Sequence, residues 1–226
     1  MSRRHFGFLI SLLFREQKTC TPTMAVNLST ESNSNKYLIV GLGNHQLPST
    51  RHNIGMMFVD RLAAQLNIRW INESKRCKGY VTSCFVSDDV ELVLLKPKEP
   101  MNLNGTSVYK TALHYKISPE NVYIVQDELD KSLGRISIKS GGSSRGHNGV
   151  KSVMNSLKTD AFLRVKLGID RPVSREPDVV ADYVLSEFTT EEKDQVDQII
   201  PAAVKSLQKH LIKTSGADIQ LGPNVF

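Results

Sequence analysis

The stretch that most limits the fold is YLIVGLG, Tyr37–Gly43. It is short, apolar and closed by glycine, so it reads as a buried first strand. Such a strand needs neighbours, and the chain supplies them. YVTSCFV and ELVLLKP read as strands around a turn at Ser87–Asp88–Asp89, and NVYIVQDEL as a strand running into acids. GRISIKS alternates as a half-exposed strand, and LRVKLGI sets Leu163, Val165 and Leu167 opposite Arg164 and Lys166. Between these, MMFVDRLAAQL places Val59, Leu62, Ala63 and Leu66 at helical spacing. GTSVYKTALHYKI reads as a helix stopped before Ser118–Pro119, and GGSSRGHNGVKSVMNSL as a glycine-rich loop opening a helix. A long helix occupies Thr190 to Ile212. Strands alternate with helices, yet some strands follow each other directly. That order predicts an α/β fold, a single domain with a twisted mixed β-sheet flanked by helices.

A length of 226 residues, 40% of them hydrophobic, suits one domain with a full core. The polar run STESNSNK, Ser29 to Lys36, reads as a linker. We therefore expect a presequence and linker over 1–35, the domain over 36–214 and a tail over 215–226. The net charge of +6 and pI near 9.2 permit a nucleic-acid partner without requiring one. Half of that charge sits in the first 30 residues, where Arg3, Arg4, Arg15 and Lys18 oppose one acid, Glu16. An Arg-rich, acid-poor amphipathic start reads as a mitochondrial presequence, and Met24 as the start of a shorter, cytoplasmic form. The rival, a secretory signal built on FGFLISLLF, runs straight into Arg15–Glu16 and lacks a small-residue cleavage site. No apolar run reaches roughly 18 residues, so no membrane span is expected. Cys20, Cys77 and Cys84 form no CxxC, and an odd count does not build a disulfide scaffold.

Polar residues gather where strands end. Asn44 follows the first strand, Asn102 follows KPKEP, and Asp127 closes NVYIVQD. His147 and Asn148 open the helix after the glycine loop. Ligands of open α/β sheets sit beyond the carboxyl ends of parallel strands, so these residues can share one cleft. His52, within STRHNIG, can take a proton from water if Asp127 holds its other nitrogen. There is no GxSxG elbow, which favours water as the nucleophile. Asn44 and Asn102 can donate to a carbonyl. The competing reading makes His52 and Asp127 helix caps or loop bonds. GLGNHQ has Gln46 where a dinucleotide loop needs glycine, and GGSSRGHNG lacks a GK[ST] ending. His45, His52 and His147 match no common metal spacing. Lys139, Arg145, Lys151, Arg164 and Lys166 cluster around the glycine loop and can meet nucleic-acid phosphate or simply face solvent.

Taken together, YLIVGLGN, TRHNIG, KPKEPMNLNG, DELD and GGSSRGHNG resemble the bacterial-type peptidyl-tRNA hydrolases in order and spacing, over about Tyr37 to His210. The resemblance implies that family's mixed-sheet fold and hydrolysis of the ester between a peptide and the terminal ribose of tRNA. It implies no cofactor and no metal. It places the catalytic histidine on His52 and its aspartate on Asp127. Substrate-binding residues fall on Asn44, Asn102, His147 and Asn148, and tRNA-facing cations on Lys139, Arg145, Arg164 and Lys166. The expected partner is peptidyl-tRNA, met by a monomer, with association with the ribosome as a further option. The chain departs from the pattern at His45–Pro48, which replaces a longer loop bearing a tyrosine, at Ser143–Arg145, and at Lys166, where arginine is frequent.

Overall fold

The central strand of the computed structural model, which describes residues 35–222, is β1, Asn35–Gly41. Its side chains alternate between two cores, with Tyr37 and Ile39 in one and Leu38 and Val40 in the other. Both faces are covered, which is why the run is apolar without alternation. Parallel neighbours flank it: β4, Val90–Pro97, on one side and β5, Val122–Glu128, on the other. β7, Leu163–Gly168, continues parallel to β5. Antiparallel pairing completes the sheet, with β3, Gly79–Ser87, on β4 and β6, Ile136–Ser140, on β7. A two-residue β2, Ile71–Asn72, pairs with β3, giving the order β2-β3-β4-β1-β5-β7-β6. The expected α/β domain with a mixed sheet is the observed one.

Helices cover both faces. α1, Ile54–Gln65, and α5, Thr190–Ser215, bury Phe58, Leu62, Leu207 and Leu211 on one. α2, Asn104–Tyr115, and α3, Asn148–Leu157, bury Val108, Ala112, Val150 and Val153 on the other. The start of α1 lies hard against the sheet. A Cβ on Gly55 would overlap the Val125 carbonyl of β5, and one on Gly41 would overlap the Gly55 carbonyl. These two glycines let the segment carrying His52 approach the end of β5.

Three differences from the sequence reading have physical causes. β1 begins at Asn35, inside the expected linker, because the Asn35 N–H donates to the Asp89 carbonyl (2.8 Å) in the β3–β4 turn. An additional helix, α4, Pro177–Leu185, precedes α5; only Val184 of it is buried, so it shows no helical core stripe. The expected tail is partly core: α5 ends at Gly216 with φ 72°, after which Ile219 and Leu221 are buried. Gln208 of α5 donates to the Ile219 carbonyl at 2.8 Å. The basic N-terminal stretch, Met24 and residues 223–226 lie outside the described residues. Among those described, no helix is long and apolar enough to cross a membrane.

Candidate active site

His52 sits in a single 3-10 turn, Arg51–Asn53, between β1 and α1. Asn53 fixes one side of that turn. It is fully buried, its Oδ1 accepts from the Asn44 N–H (2.6 Å), and its Nδ2 donates to the carbonyls of Asn44 (2.9 Å) and Leu47 (2.8 Å). Asn104 ties the same loop to α2, accepting from the Gly43 N–H (3.0 Å) and donating to the carbonyls of Glu99 and Pro100. The Asn44 side-chain oxygen accepts from the Met101 N–H (2.7 Å), which leaves its amide N–H groups for an occupant of the cleft.

Asp127 lies near the carboxyl end of β5 and is 3% exposed. Its Oδ1 meets two imidazoles, His52 Nδ1 at 2.9 Å and His147 Nε2 at 3.0 Å. His147 is the N-cap of α3, and its Nδ1 accepts from the N–H groups of Gly149 (3.1 Å) and Val150 (3.3 Å). A nitrogen accepting two backbone donors carries no proton, so the His147 proton is on Nε2 and is donated to Asp127. His52 donates its Nδ1 proton to the same oxygen. Its Nε2 is thereby left as the basic atom available to the cleft, and the two rings lie 4.9 Å apart.

The electrostatics follow from this geometry. Burial alone would lower the pKa of His52, but the charge of Asp127 and its hydrogen bond outweigh burial and raise it above the ordinary 6.5. Burial would likewise raise Asp127, yet the two imidazoles and their hydrogen bonds hold its carboxyl well below the usual range. The polar atoms of His52, Asp127 and His147 lie within 4.8 Å of one another, close enough for a metal ion. Binding one would require His147 or His52 to give up the proton it shares with Asp127, so the set fits proton handling better than metal ligation.

A cleft of about 620 Å³ opens over these groups. Asn44, His52, Asn102, Asp127, His147 and Asn148 all line it, so the structure brings together six residues that the sequence had grouped, and adds Arg145 from the basic cluster. Lys139, Arg164 and Lys166 line a second groove of about 360 Å³, and Glu128 and Arg145 border both spaces. Three of these side chains are engaged within the protein. Arg164 and Lys166 are only 4% and 6% exposed. Arg164 donates to the carbonyls of Ser143 (2.8 Å) and Gly141 (2.7 Å), and Lys166 pairs with Glu128 at 2.6 Å, so both cations already have protein partners. His147, expected to bind substrate, lines the cleft with both ring nitrogens engaged inside the protein. His45 lies away from the cleft, 5.2 Å from the Tyr80 ring. Sequence reasoning missed Asn53 and Asn104, whose partners are loop backbone atoms, and α4, whose Val180, Ala181 and Val184 line the cleft.

An imidazole held by a buried carboxylate, in a cleft over the ends of parallel strands, is the make-up of an α/β enzyme site. Comparison with known proteins narrows this class. The family model for peptidyl-tRNA hydrolase matches residues 38–220, and the chain belongs to that family. It is 39% identical over 178 residues to a mouse protein described as a probable peptidyl-tRNA hydrolase, covering 78% of this chain and 85% of the mouse one. It is 41% identical over 192 residues to a peptidyl-tRNA hydrolase of Clostridium botulinum (strain Alaska E43 / Type E3), covering 84% and 95% of the two chains. The crystal structure of the Acinetobacter baumannii peptidyl-tRNA hydrolase superposes with a TM-score of 0.70 at 31% identity, covering 83% of this chain and 92% of that one.

Proposed function

We propose that this chain hydrolyses the ester between a peptide and tRNA, with His52 as general base and Asp127 as its anchor. The observation that carries the reading is the His52–Asp127 hydrogen bond of 2.9 Å, which presents Nε2 to the cleft as an acceptor. Water attacks the ester carbonyl as Nε2 takes its proton, and Asp127 stabilises the imidazolium that forms. The bond from carbonyl carbon to ribose oxygen then breaks, and the leaving oxygen takes a proton. His147 holds the second side of Asp127 and so fixes the carboxylate rather than gripping substrate. Amide groups of Asn44, Asn102 and Asn148 hold the peptide backbone and donate to the developing oxyanion. Such donors recognise a backbone without reading side chains, which suits a substrate of any sequence.

On this reading Lys139 and Arg145 take tRNA phosphates along the adjoining groove. Arg164 and Lys166 act from beneath, shaping the glycine loop and holding Glu128. Family membership and the basic groove support peptidyl-tRNA as the partner. The basic N-terminal segment supports mitochondrial targeting, with a cytoplasmic form from Met24, and we take the working unit as a monomer that can associate with the ribosome. The test is incubation with N-acetylated aminoacyl-tRNA and, separately, unblocked aminoacyl-tRNA, beside His52→Ala. Release from the blocked substrate alone, lost in the variant, is expected. Binding of tRNA without any release would reduce the protein to an RNA-binding member of its family.

A further inference from the structure

His52 is held from both sides, and the side opposite Asn53 is made by Arg51. That side chain is 6% exposed and makes a forked pair with Glu192 of α5, Nη1 and Nη2 each 2.8 Å from a carboxylate oxygen. Its Nε donates to Ser186 Oγ at 3.2 Å. Its guanidinium carbon lies 4.5 Å from the Tyr183 ring centroid and 4.9 Å from that of Phe188. Tyr183 belongs to α4 and donates its hydroxyl to the Ile169 carbonyl (2.6 Å), while Ser186 and Phe188 form the link into α5. The backbone repeats the connection, with the Arg51 N–H on the Ser186 carbonyl (3.0 Å) and Thr50 bridged to Glu187. Glu192 also caps α5, accepting from the Thr189 N–H at 2.7 Å.

We propose that Arg51 is a positioning residue for the hydrolysis, a clamp that sets the aim of His52 and the seat of α4 at the cleft together. The inference rests on His52 being the base. A turn of only three residues has little freedom: with Asn53 bound to the β1 loop and Arg51 to α4 and α5, the ring between them has one orientation toward Asp127. Loosening either side tilts the ring, and a misplacement of about 1 Å costs about 100-fold in rate. Only arginine fills the position, since the fork and the stacked plane are both used. The clamp also reaches α4, whose Val180, Ala181 and Val184 face the cleft.

The test compares wild type with Arg51→Lys, Glu192→Gln and the double variant, measuring kcat and KM for N-acetylated aminoacyl-tRNA across pH, each below its melting temperature. The titratable groups facing His52 are Asp127 of β5 and His147 at α3, while Glu128, Arg145, Arg171 and Arg175 line the same cleft. Both single variants should lose about 10- to 100-fold in kcat with KM within about twofold. The double variant should lose much less than the product of the two single losses, because both break the shared Arg51–Glu192 contact. The acid limb should move to lower pH, since a ring less well held by Asp127 loses part of its upward shift. Should Arg51→Lys fail to fold, Glu192→Gln, which keeps the shape of the contact, decides. A folded Glu192→Gln with wild-type kcat and an unmoved acid limb overturns the clamp alone. Wild-type protein without turnover overturns the clamp and the assigned reaction together.

Discussion

At the scale of the residue, the proposed function turns on which nitrogen of His52 carries the proton. Asp127 fixes it on Nδ1, and that assignment makes two variants informative. His52→Ala should cost about 10²–10⁴ in kcat, the usual contribution of a general base, with tRNA binding retained. Asp127→Asn should fall in the same range, because an amide can present its N–H to Nδ1 and turn the other tautomer toward the cleft; full single-turnover activity in either would sink the assignment. The pH dependence follows in sign. The pKa of His52 is raised, so the neutral base is lost on acidification at a higher pH than for ordinary imidazole. The acid limb of kcat/KM should therefore have its midpoint above 6.5, and a midpoint below that value would contradict the ion pair. Gly55→Ala should destabilise by about 1–3 kcal/mol, since the added methyl meets a strand carbonyl that cannot retreat. A thermal melt several degrees lower is expected, and an unchanged one would mean that the α1–β5 approach is not tight. Asn44 and Asp127 were legible in the sequence because each lies where a strand gives out, and His52, Asn102 and Asn148 because they sit in the turns and helix starts that follow. Arg51 was not, because Glu192 lies 141 positions away and a lone arginine beside a histidine has no periodic signature.

Elements were legible in proportion to how much core they bury. β1, β4 and β5 announce themselves as apolar runs, whereas α4 turns Val180 and Val184 toward a cleft, and β2 exists only through the pairing of Ile71 with Val81 and Asn72 with Tyr80. β7 carries a subtler lesson. Arg164 and Lys166 look outward-facing in its alternating pattern, yet loop carbonyls and Glu128 give their charges partners under the glycine loop. On the proposed function, phosphate binding falls to the more exposed cations of the loop and of β6. Lys139→Ala should weaken tRNA binding and lower the slope of log K against log salt by about one unit. A titration with an unchanged slope would move the RNA elsewhere on the surface. Arg164→Ala should behave differently, loosening the loop and lowering its protection from hydrogen exchange, because the two carbonyls it binds lose their donors.

For the whole molecule, the two cores on either face of one sheet explain why composition and order alone predicted the architecture, and why the end of the domain was harder to place. Residues after α5 carry no repeating pattern, yet Ile219 and Leu221 complete the core beside α5. Truncation after Ser215 should therefore cost about 3–6 kcal/mol, from about 1.5–3 for each buried aliphatic side chain, and lower the melting temperature by about 10 °C or more. A truncated chain melting with the full one would restore the shorter domain. One feature reaches furthest into kinetics. The cleft and the basic groove share Glu128 and Arg145 as a common wall, so on the proposed function a departing peptide would vacate one chamber while the other still held nucleic acid. Discharged tRNA should then inhibit competitively, and raising the salt should first speed turnover, by easing its exit, before slowing it.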